Sequence, residues 1–487
     1  MSAHTGWRRV LSTMVAILST SAVFAADAPK AEEVPFWAIG MPKSDVASKL
    51  APVPSFPIPT AADKLPVSKL KLPPGFKAEV WASGILDARG MRQSDQGTVF
   101  VSSLFVAGKI YAVQDKDGKR VVKTIADKLF LPNGIEFHKG SLFVATPKDI
   151  TRYDNIEANL DNPPKPVMVY DKLPGDVPHG WKFIKIGPDG KLYVPIGAPC
   201  NLCLPPDTHA QIFRMNLDGT NVESVVKGMR NTVGFDFHPK TGELWFGDNQ
   251  RDWLSEDMPI DELNHVTKTG QHFGFPFCHS GMMTDPEFGW GKDCKDYVKP
   301  ALLLGAHAAP VGMRFYTGKM FPAKYQNAIF LARHGPWNRT KKYAADVVAI
   351  FIDDKGNAEM EPFLTGLVEN NEYLGRPADV MVMKDGSLLV SDDHNGAIYR
   401  ISYAGKRAAG RPCTCAPRHS SRRACWCFTT GPTPSLALRT ALRLAWSAMG
   451  RTPAARSPVH RCWPDNRRFT PSRSYSCFAK AAGAARS

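Results

Sequence analysis

One histidine stands where the local pattern does not require it. The stretch Gly175 to Gly197, GDVPHGWKFIKIGPDGKLYVPIG, reads as a β-hairpin with a Pro-Asp-Gly turn and apolar residues alternating on either side. His179, between Pro178 and Gly180, belongs to neither strand nor turn. An imidazole titrates near neutrality and suits general-base work, and loops carry function more often than strands do. Three further segments hold residues of chemical interest. GMRNTVGFDFHPKTGELWFGDNQRDW sets Arg230 and Asn231 before one strand and Asp248, Asn249, Gln250 and Arg251 after the next; MPIDELNHV adds Asp261 and Glu262. That loop is rich in carboxylate, amide and carbonyl oxygen, the donors a hard divalent cation takes. Its spacing fits no EF-hand, and the same residue types also cap turns. The segments GAHAAPVGMRFYTG and FLARHGPWNR bring His307, His334, Trp337, Asn338 and Arg339, and YLGRPADVMV brings Arg376 and Asp379. A fixed arginine fork suits the carboxylates of an anionic ligand.

Elements that position such residues follow from a repeat. Between Gly97 and Tyr403 a Gly or Asn turn is followed by alternating apolar residues six times, anchored at Gly97, Gly140, Gly190, Gly242, Asn327 and Gly386. The spacing is ~45 residues where no insertion intervenes, the period of a propeller blade. Strands with apolar faces must bury them against other sheets, and blades stacked around an axis do this for every blade. Helical periodicity is nearly absent. The expected fold is all-β, a six-bladed β-propeller over residues 75–405, with loops from successive blades converging at one mouth of the channel.

Residues 1–25 read as a secretory signal, with Arg8 and Arg9 before an apolar run and small residues after it. Residues 26–74 form a Pro-rich extension expected to wrap the domain surface. No other segment is long and apolar enough to span a membrane. The net charge of +15 invites a nucleic-acid reading, but its distribution argues against one. From Ala408 to Ser487 thirteen arginines and Lys480 face a single acid, Asp465, and the rest of the chain is nearly balanced. Residues 406–487 also hold six of the ten cysteines and lack strand alternation. They read as a disordered or frame-shifted end, too poor in large aliphatics to repay ordering entropy. Truncation after Arg407 is therefore expected to keep specific activity and thermal midpoint and to raise solubility; loss of either would show that the tail closes the propeller. The four cysteines of the body suggest two disulfides in an exported chain. Cys200 with Cys203 and Cys278 with Cys294 are the sequence-local pairs, although cysteines also bind metals.

Taken in order, PHGWKFIKIGPDGKLYVPIGAPCNLC, GMRNTVGFDFHPKTGELWFGDNQRD, PIDELNHV, FGFPFCHSG, HAAPVGMRFYTG, ARHGPWNR and GRPADVMVMKDGSLLVSDDHNGAIYRI resemble the glucose/sorbosone dehydrogenase family, and the sorbosone branch more closely. The resemblance spans Leu72 to Tyr403. It implies a periplasmic or secreted enzyme that uses pyrroloquinoline quinone (PQQ) and calcium to oxidise a sugar or sugar aldehyde. Electrons would pass to an external acceptor, a cytochrome or quinone. It also implies roles: His179 as base and Arg230 beside it as the second catalytic residue; Asn231, Asn249, His334, Arg339 and Arg376 toward the cofactor; Asn133 toward the sugar. Main-chain carbonyls of Gln250 and Arg251, with Asp261, would serve the metal. His334 stands near a position that is lysine in the glucose branch. Ala198 replaces an aspartate that orients the histidine there, so no acid is evident to orient His179. Two other functions suit a propeller: a calcium-dependent lactone hydrolase, and a non-catalytic module that binds a glycan or a partner.

Overall fold

The computed structural model describes residues 57–405, Val106 excepted; the signal, most of the Pro-rich extension and the tail lie outside the described residues. Six antiparallel four-stranded units carry the fold. The first blade is Ala88–Gln93, Val99–Ser103, Lys109–Lys116 and Lys119–Ala126, and the second Ile135–His138, Ser141–Ala145, Ile150–Tyr153 and Val167–Tyr170. The third is Lys185–Ile186, Leu192–Ile196, Gln211–Met215 and Glu223–Lys227, with Gln271–His272 added in parallel at its edge. The fourth is Gly234–Phe237, Leu244–Asp248, Ile260–Val266 and Leu302–Ala306. The fifth is Pro310–Phe315, Ile329–Arg333, Asp346–Ile352 and Ala358–Leu364. The sixth, Pro377–Val382, Leu388–Asp392 and Ala397–Tyr403, is completed by Phe76–Ser83 from the start of the domain. That exchange closes the ring and leaves no open sheet between the two ends.

The anchors of the sequence repeat are the turns of the first hairpin of each blade, and each has positive φ, from Asn327 at 61° to Gly97 at 100°. Beyond the turn, period-two alternation sends apolar side chains to both faces. Val99 and Val101 pack toward the sixth blade and Phe100 toward the second. Ile329 and Leu331 pack toward the fourth blade, Phe330 and Ala332 toward the sixth. Six apolar clusters result, one at every blade interface.

The six inner strands carry charge in alternation: Arg92, Glu136, Lys185, Asp236, Arg314 and Asp379. Arg92 pairs with Glu136; Lys185 Nζ lies 3.5 Å from Asp236, and Arg314 Nη2 3.3 Å from Asp379. Each acid also accepts a main-chain N–H from the next blade: Ile186 to Glu136 at 3.3 Å, Phe315 to Asp236 at 2.9 Å and Met91 to Asp379 at 2.9 Å. Arg92 and Arg314 both sit over the Phe183 ring, 5.1 and 5.0 Å from its centroid. Residues of the first, third and fifth blades meet in this way only across the axis, so these side chains fill the channel. Glycine lets the inner strands converge. A Cβ on Gly134 would stand 2.5 Å from Lys182 O, and one on Gly234 1.9 Å from Val311 O.

The described part of the N-terminal extension lies on the domain. Ile58 and Thr60 donate main-chain N–H groups to His394 and Asn395, Leu65 enters the cluster between the fifth and sixth blades, and Lys71 bridges to Thr365. Among the described residues no helix is long and apolar enough to cross a membrane.

Candidate active site

Above the filled axis the loops enclose a cavity of about 560 Å³. Its lining includes His179, Arg230, Asn231, Asn249, Gln250, Asp261, His334 and Arg376, so eight of the eleven residues expected to serve catalysis, cofactor, sugar or metal come together, with His307, Trp337 and Asn338 beside them.

His179 stands at the end of a tight loop, at φ 52°. Its Nδ1 lies 2.8 Å from the main-chain oxygen of Ala198. A carbonyl oxygen can only accept, so Nδ1 carries the proton and Nε2 is left with a lone pair. The group that orients the histidine is thus the backbone of the residue standing where the glucose branch has an acid. Burial and the positive charge of Arg230 hold the imidazole well below its ordinary pKa, against the pull of the Ala198 carbonyl. His179 is therefore neutral at pH 7, in the tautomer of a base.

Arg230 is buried and fully directed. Nε donates to Asn201 O at 2.8 Å, Nη1 to Asn249 O at 3.2 Å, and Nη2 to Asn201 Oδ1 and Asp252 Oδ2, both at 2.8 Å. Asp248, the last residue of its strand, accepts the main-chain N–H groups of Arg230 and Asn231 at 2.9 and 2.7 Å. The sixth blade repeats the device: Asp392, also last in its strand, accepts the N–H of Arg376 at 2.9 Å. Arg376 spends Nε and Nη2 on the carbonyls of His334 and Gly335. The Asn249 amide donates to the carbonyls of Asn231 and Pro310, at 3.0 and 2.9 Å.

His334 Nε2 lies 2.9 Å from both oxygens of Asp393, whose Oδ2 also binds Arg89 Nη1 at 2.7 Å. Burial opposes the charge of Asp393, but His334, Arg89 and Arg376 outweigh it and hold the carboxyl below its usual range. Burial, then Arg376, push His334 down to about 4. Its Nε2–H donates to Asp393.

The acids of the metal-like loop behave differently. Burial pushes Asp248 and Asp261 up to about 7, and Glu262 well above its ordinary value. Asp261 accepts the N–H groups of Gln250 and Ala309, both at 2.8 Å. Glu262 Oε1 is buried with no hydrogen-bond partner. Among the described residues no three His, Cys, Asp or Glu gather into a metal-binding group.

Asn133, Arg251 and Arg339 do not line the cavity. Asn133 lies beneath it, donating to Lys182 O at 3.0 Å and facing Arg89 Nε at 3.5 Å. The Arg251 side chain turns to Asp285 and Glu287, at 2.7 and 3.1 Å. Arg339 pairs with Asp257 and covers the Tyr343 ring. Sequence reasoning passed over Arg89, Trp181, Asn201, Asp252 and Asp393, all of which line the cavity. For Asp393 a signal existed: SDDHNG follows a strand as GDNQRD does, so the repeat itself aligns the two loops. Both sequence-local cysteine pairs form disulfides.

A family model described as TrAA12-like matches residues 70–404. The chain is 32% identical over 362 residues to an uncharacterized protein of Borreliella burgdorferi, covering 71% of this chain and 94% of that one. Among solved structures, it is similar to the holo form of the PQQ domain of a pyranose dehydrogenase from Coprinopsis cinerea (TM-score 0.59, 18% identity, 68% of this chain and 97% of that one). It is similar also to the calcium structure of a Trichoderma reesei protein of Carbohydrate-Active Enzymes Family AA12 (TM-score 0.59, 17% identity, 71% and 100%). A third likeness is to the PQQ-bound form of an aldose sugar dehydrogenase from Streptomyces coelicolor (TM-score 0.50, 18% identity, 68% and 99%). At these identities the structural likenesses speak for the fold.

Proposed function

The chain belongs to the TrAA12-like family, and from that premise we propose that it is a PQQ-dependent dehydrogenase oxidising a sugar or sugar aldehyde. The observation that carries this reading is His179, held with Nε2 unprotonated in a cavity that three guanidinium groups line. The cavity suits the cofactor's chemistry. PQQ is a flat tricarboxylate; Arg89, Arg230 and Arg376 supply positive charge along the lining, and Trp181 and Trp337 supply flat apolar walls.

Calcium suits the neighbouring loop. Gln250 and Asp261 both line the cavity, Asp261 accepts the Gln250 N–H at 2.8 Å, and the main-chain carbonyls of Gln250 and Arg251 are the further oxygens this loop offers. Buried carboxylates with raised pKa values and an unpartnered Glu262 oxygen call for positive charge. These groups would hold the ion. When bound, the quinone supplies a two-electron acceptor and calcium a Lewis acid that polarises it.

The chain's own residues do the rest. His179 Nε2 takes the proton of the substrate hydroxyl as hydride leaves the carbon that bears it. Ala198 O fixes the ring and its tautomer, leaving Nε2 unprotonated on a residue that lines the cavity. Arg230, held by four hydrogen bonds, keeps a positive charge where negative charge develops, with no reorganisation at the moment of reaction. The N-terminal stretch that reads as a secretory signal and the two disulfides support a periplasmic or secreted location, with an external acceptor taking the electrons.

Adding PQQ and calcium to the cofactor-free chain is expected to change the visible spectrum, raise the thermal midpoint and enable dye reduction with aldoses or sorbosone. Chelation should reverse all three. Absence of any spectral change at saturating quinone and calcium would sink the proposal, and lactone hydrolysis without quinone would replace it.

A further inference from the structure

The segment that follows the His179 hairpin touches both candidate catalytic residues. Ala198 O takes the Nδ1–H of His179 at 2.8 Å. Asn201 takes two donors of Arg230, on O and on Oδ1, at 2.8 Å each. Asn201 is itself pinned: Oδ1 accepts the main-chain N–H of Asp252 at 2.8 Å, and Nδ2 donates to Asp252 O at 3.2 Å. His209 Nε2 lies 2.8 Å from Asp176 Oδ2, in the loop that carries His179. His209 Nδ1 faces the Thr208 hydroxyl at 3.0 Å, so the ring is bonded at both nitrogens. The Cys200–Cys203 disulfide brackets Asn201, and Ala198, Cys200, Leu202 and Ala210 form an apolar cluster with Phe275.

We propose that residues 198–209 are the positioning element of the site: Asn201, inside the disulfide ring, sets Arg230, and His209 latches the His179 loop through Asp176. The physical case is geometric. His179 sits at a φ that a non-glycine residue rarely takes, so its loop needs an external hold. Within that loop one main-chain bond, Gly180 N to Val177 O at 3.0 Å, closes the turn. The Asp176–His209 contact fastens it to the next segment. Asp176 is 40% exposed and His209 8%, so the buried imidazole is the anchor of the pair. A four-residue disulfide ring leaves Asn201 little freedom to turn away from Arg230. Neither Asn201 nor His209 needs to move a proton, and both act through the residues they hold.

The proposal rests on the sugar-dehydrogenase reading for its kinetic arm only. His209→Ala is expected to lower kcat ~10- to 100-fold, the cost of a misplaced reacting group, with KM for sugar near the wild-type value. His209→Gln, which keeps a donor at the Nε2 position, should recover most of it. The pair Cys200→Ser with Cys203→Ser should act like His209→Ala. In the cofactor-free chain labelled at histidine, the Nδ1–H resonance of His179 should be sharp in the wild type and broadened by exchange in His209→Ala. Asp176→Ala, which removes the acceptor at a partly exposed position, should broaden it too. Unchanged kcat and an unchanged resonance in both His209→Ala and Asp176→Ala would overturn the proposal. If the loaded wild type oxidises no sugar, the functional reading falls, and the resonance still decides whether the segment positions His179.

Discussion

His179→Ala is expected to lower kcat ~100- to 10,000-fold, the range a general base contributes, while the chain stays folded and still binds quinone. Alanine keeps the Cβ, which packs closely over Gly197, and keeps the same positive φ. What it removes is the ring, with its bond to Ala198 O and the lone pair in the cavity. The lost hydrogen bond costs about 1 kcal/mol, too little to unfold a domain of this size. The pH profile supplies a second reading of the same residue. Burial and Arg230 depress the imidazole, so the active, unprotonated form persists as pH falls below the ordinary histidine value. The wild-type kcat/KM should therefore be flat from pH 8 down through 6.5, with its acid limb lower still. Near-wild-type turnover in the alanine variant, or a wild-type limb at or above 6.5, would remove His179 from the role of base.

Asp379→Ala is expected to destabilise the fold by ~3–5 kcal/mol, the cost of removing one partner of a buried ion pair. Against the ~5–15 kcal/mol by which domains are commonly stable, this is a large share. Asp379 is 2% exposed. Its Oδ2 takes the Met91 N–H at 2.9 Å and lies 3.3 Å from Arg314 and 3.8 Å from Arg92. Alanine would leave the Arg314 guanidinium without its carboxylate partner, while Arg92 keeps Glu136, and would strand one N–H at the junction where the sixth blade meets the first. Asn at this position keeps an acceptor for Met91 and should cost less. Urea unfolding of the two variants gives the difference directly. Asp379 does not line the cavity, so activity per folded molecule should hold. A loss below about 1 kcal/mol for the alanine variant would mean that the ring of charges contributes little to closure.

The architecture was legible because its signals are local. A turn that needs positive φ selects Gly or Asn, and all six anchors of the repeat take positive φ. Alternation with period two follows from strand geometry alone. The apolar runs on both faces, as in Ile329–Arg333, say that each sheet is covered twice. Six such units in a row leave few ways to bury every face. The loop after the second strand of the fourth blade was read from its residues, and the repeat could have given the sixth blade's as well: Asp248 and Asp392 end equivalent strands and do equivalent work.

The partners of the site residues were not legible, and the physical reason is range. Arg89 and Asp393 are 304 residues apart and meet at 2.7 Å; no local pattern couples them, and only closure of the ring does. The same holds for Arg92 and Asp379 across the junction of the first and sixth blades. Asn133 carried a polar side chain in a promising stretch, yet the convergence of inner strands placed it under Arg89 rather than in the cavity. The orientation of His179 lay further out of reach. Its partner is a main-chain carbonyl, and every residue has one, so residue type at position 198 says nothing about it. By itself the sequence determined the blades, their number and the chemistry at their ends, because turns and alternation are decided within a few residues. The tertiary structure alone decided which of those ends meet and which backbone oxygen aims the imidazole, because those depend on how six sheets close around one axis.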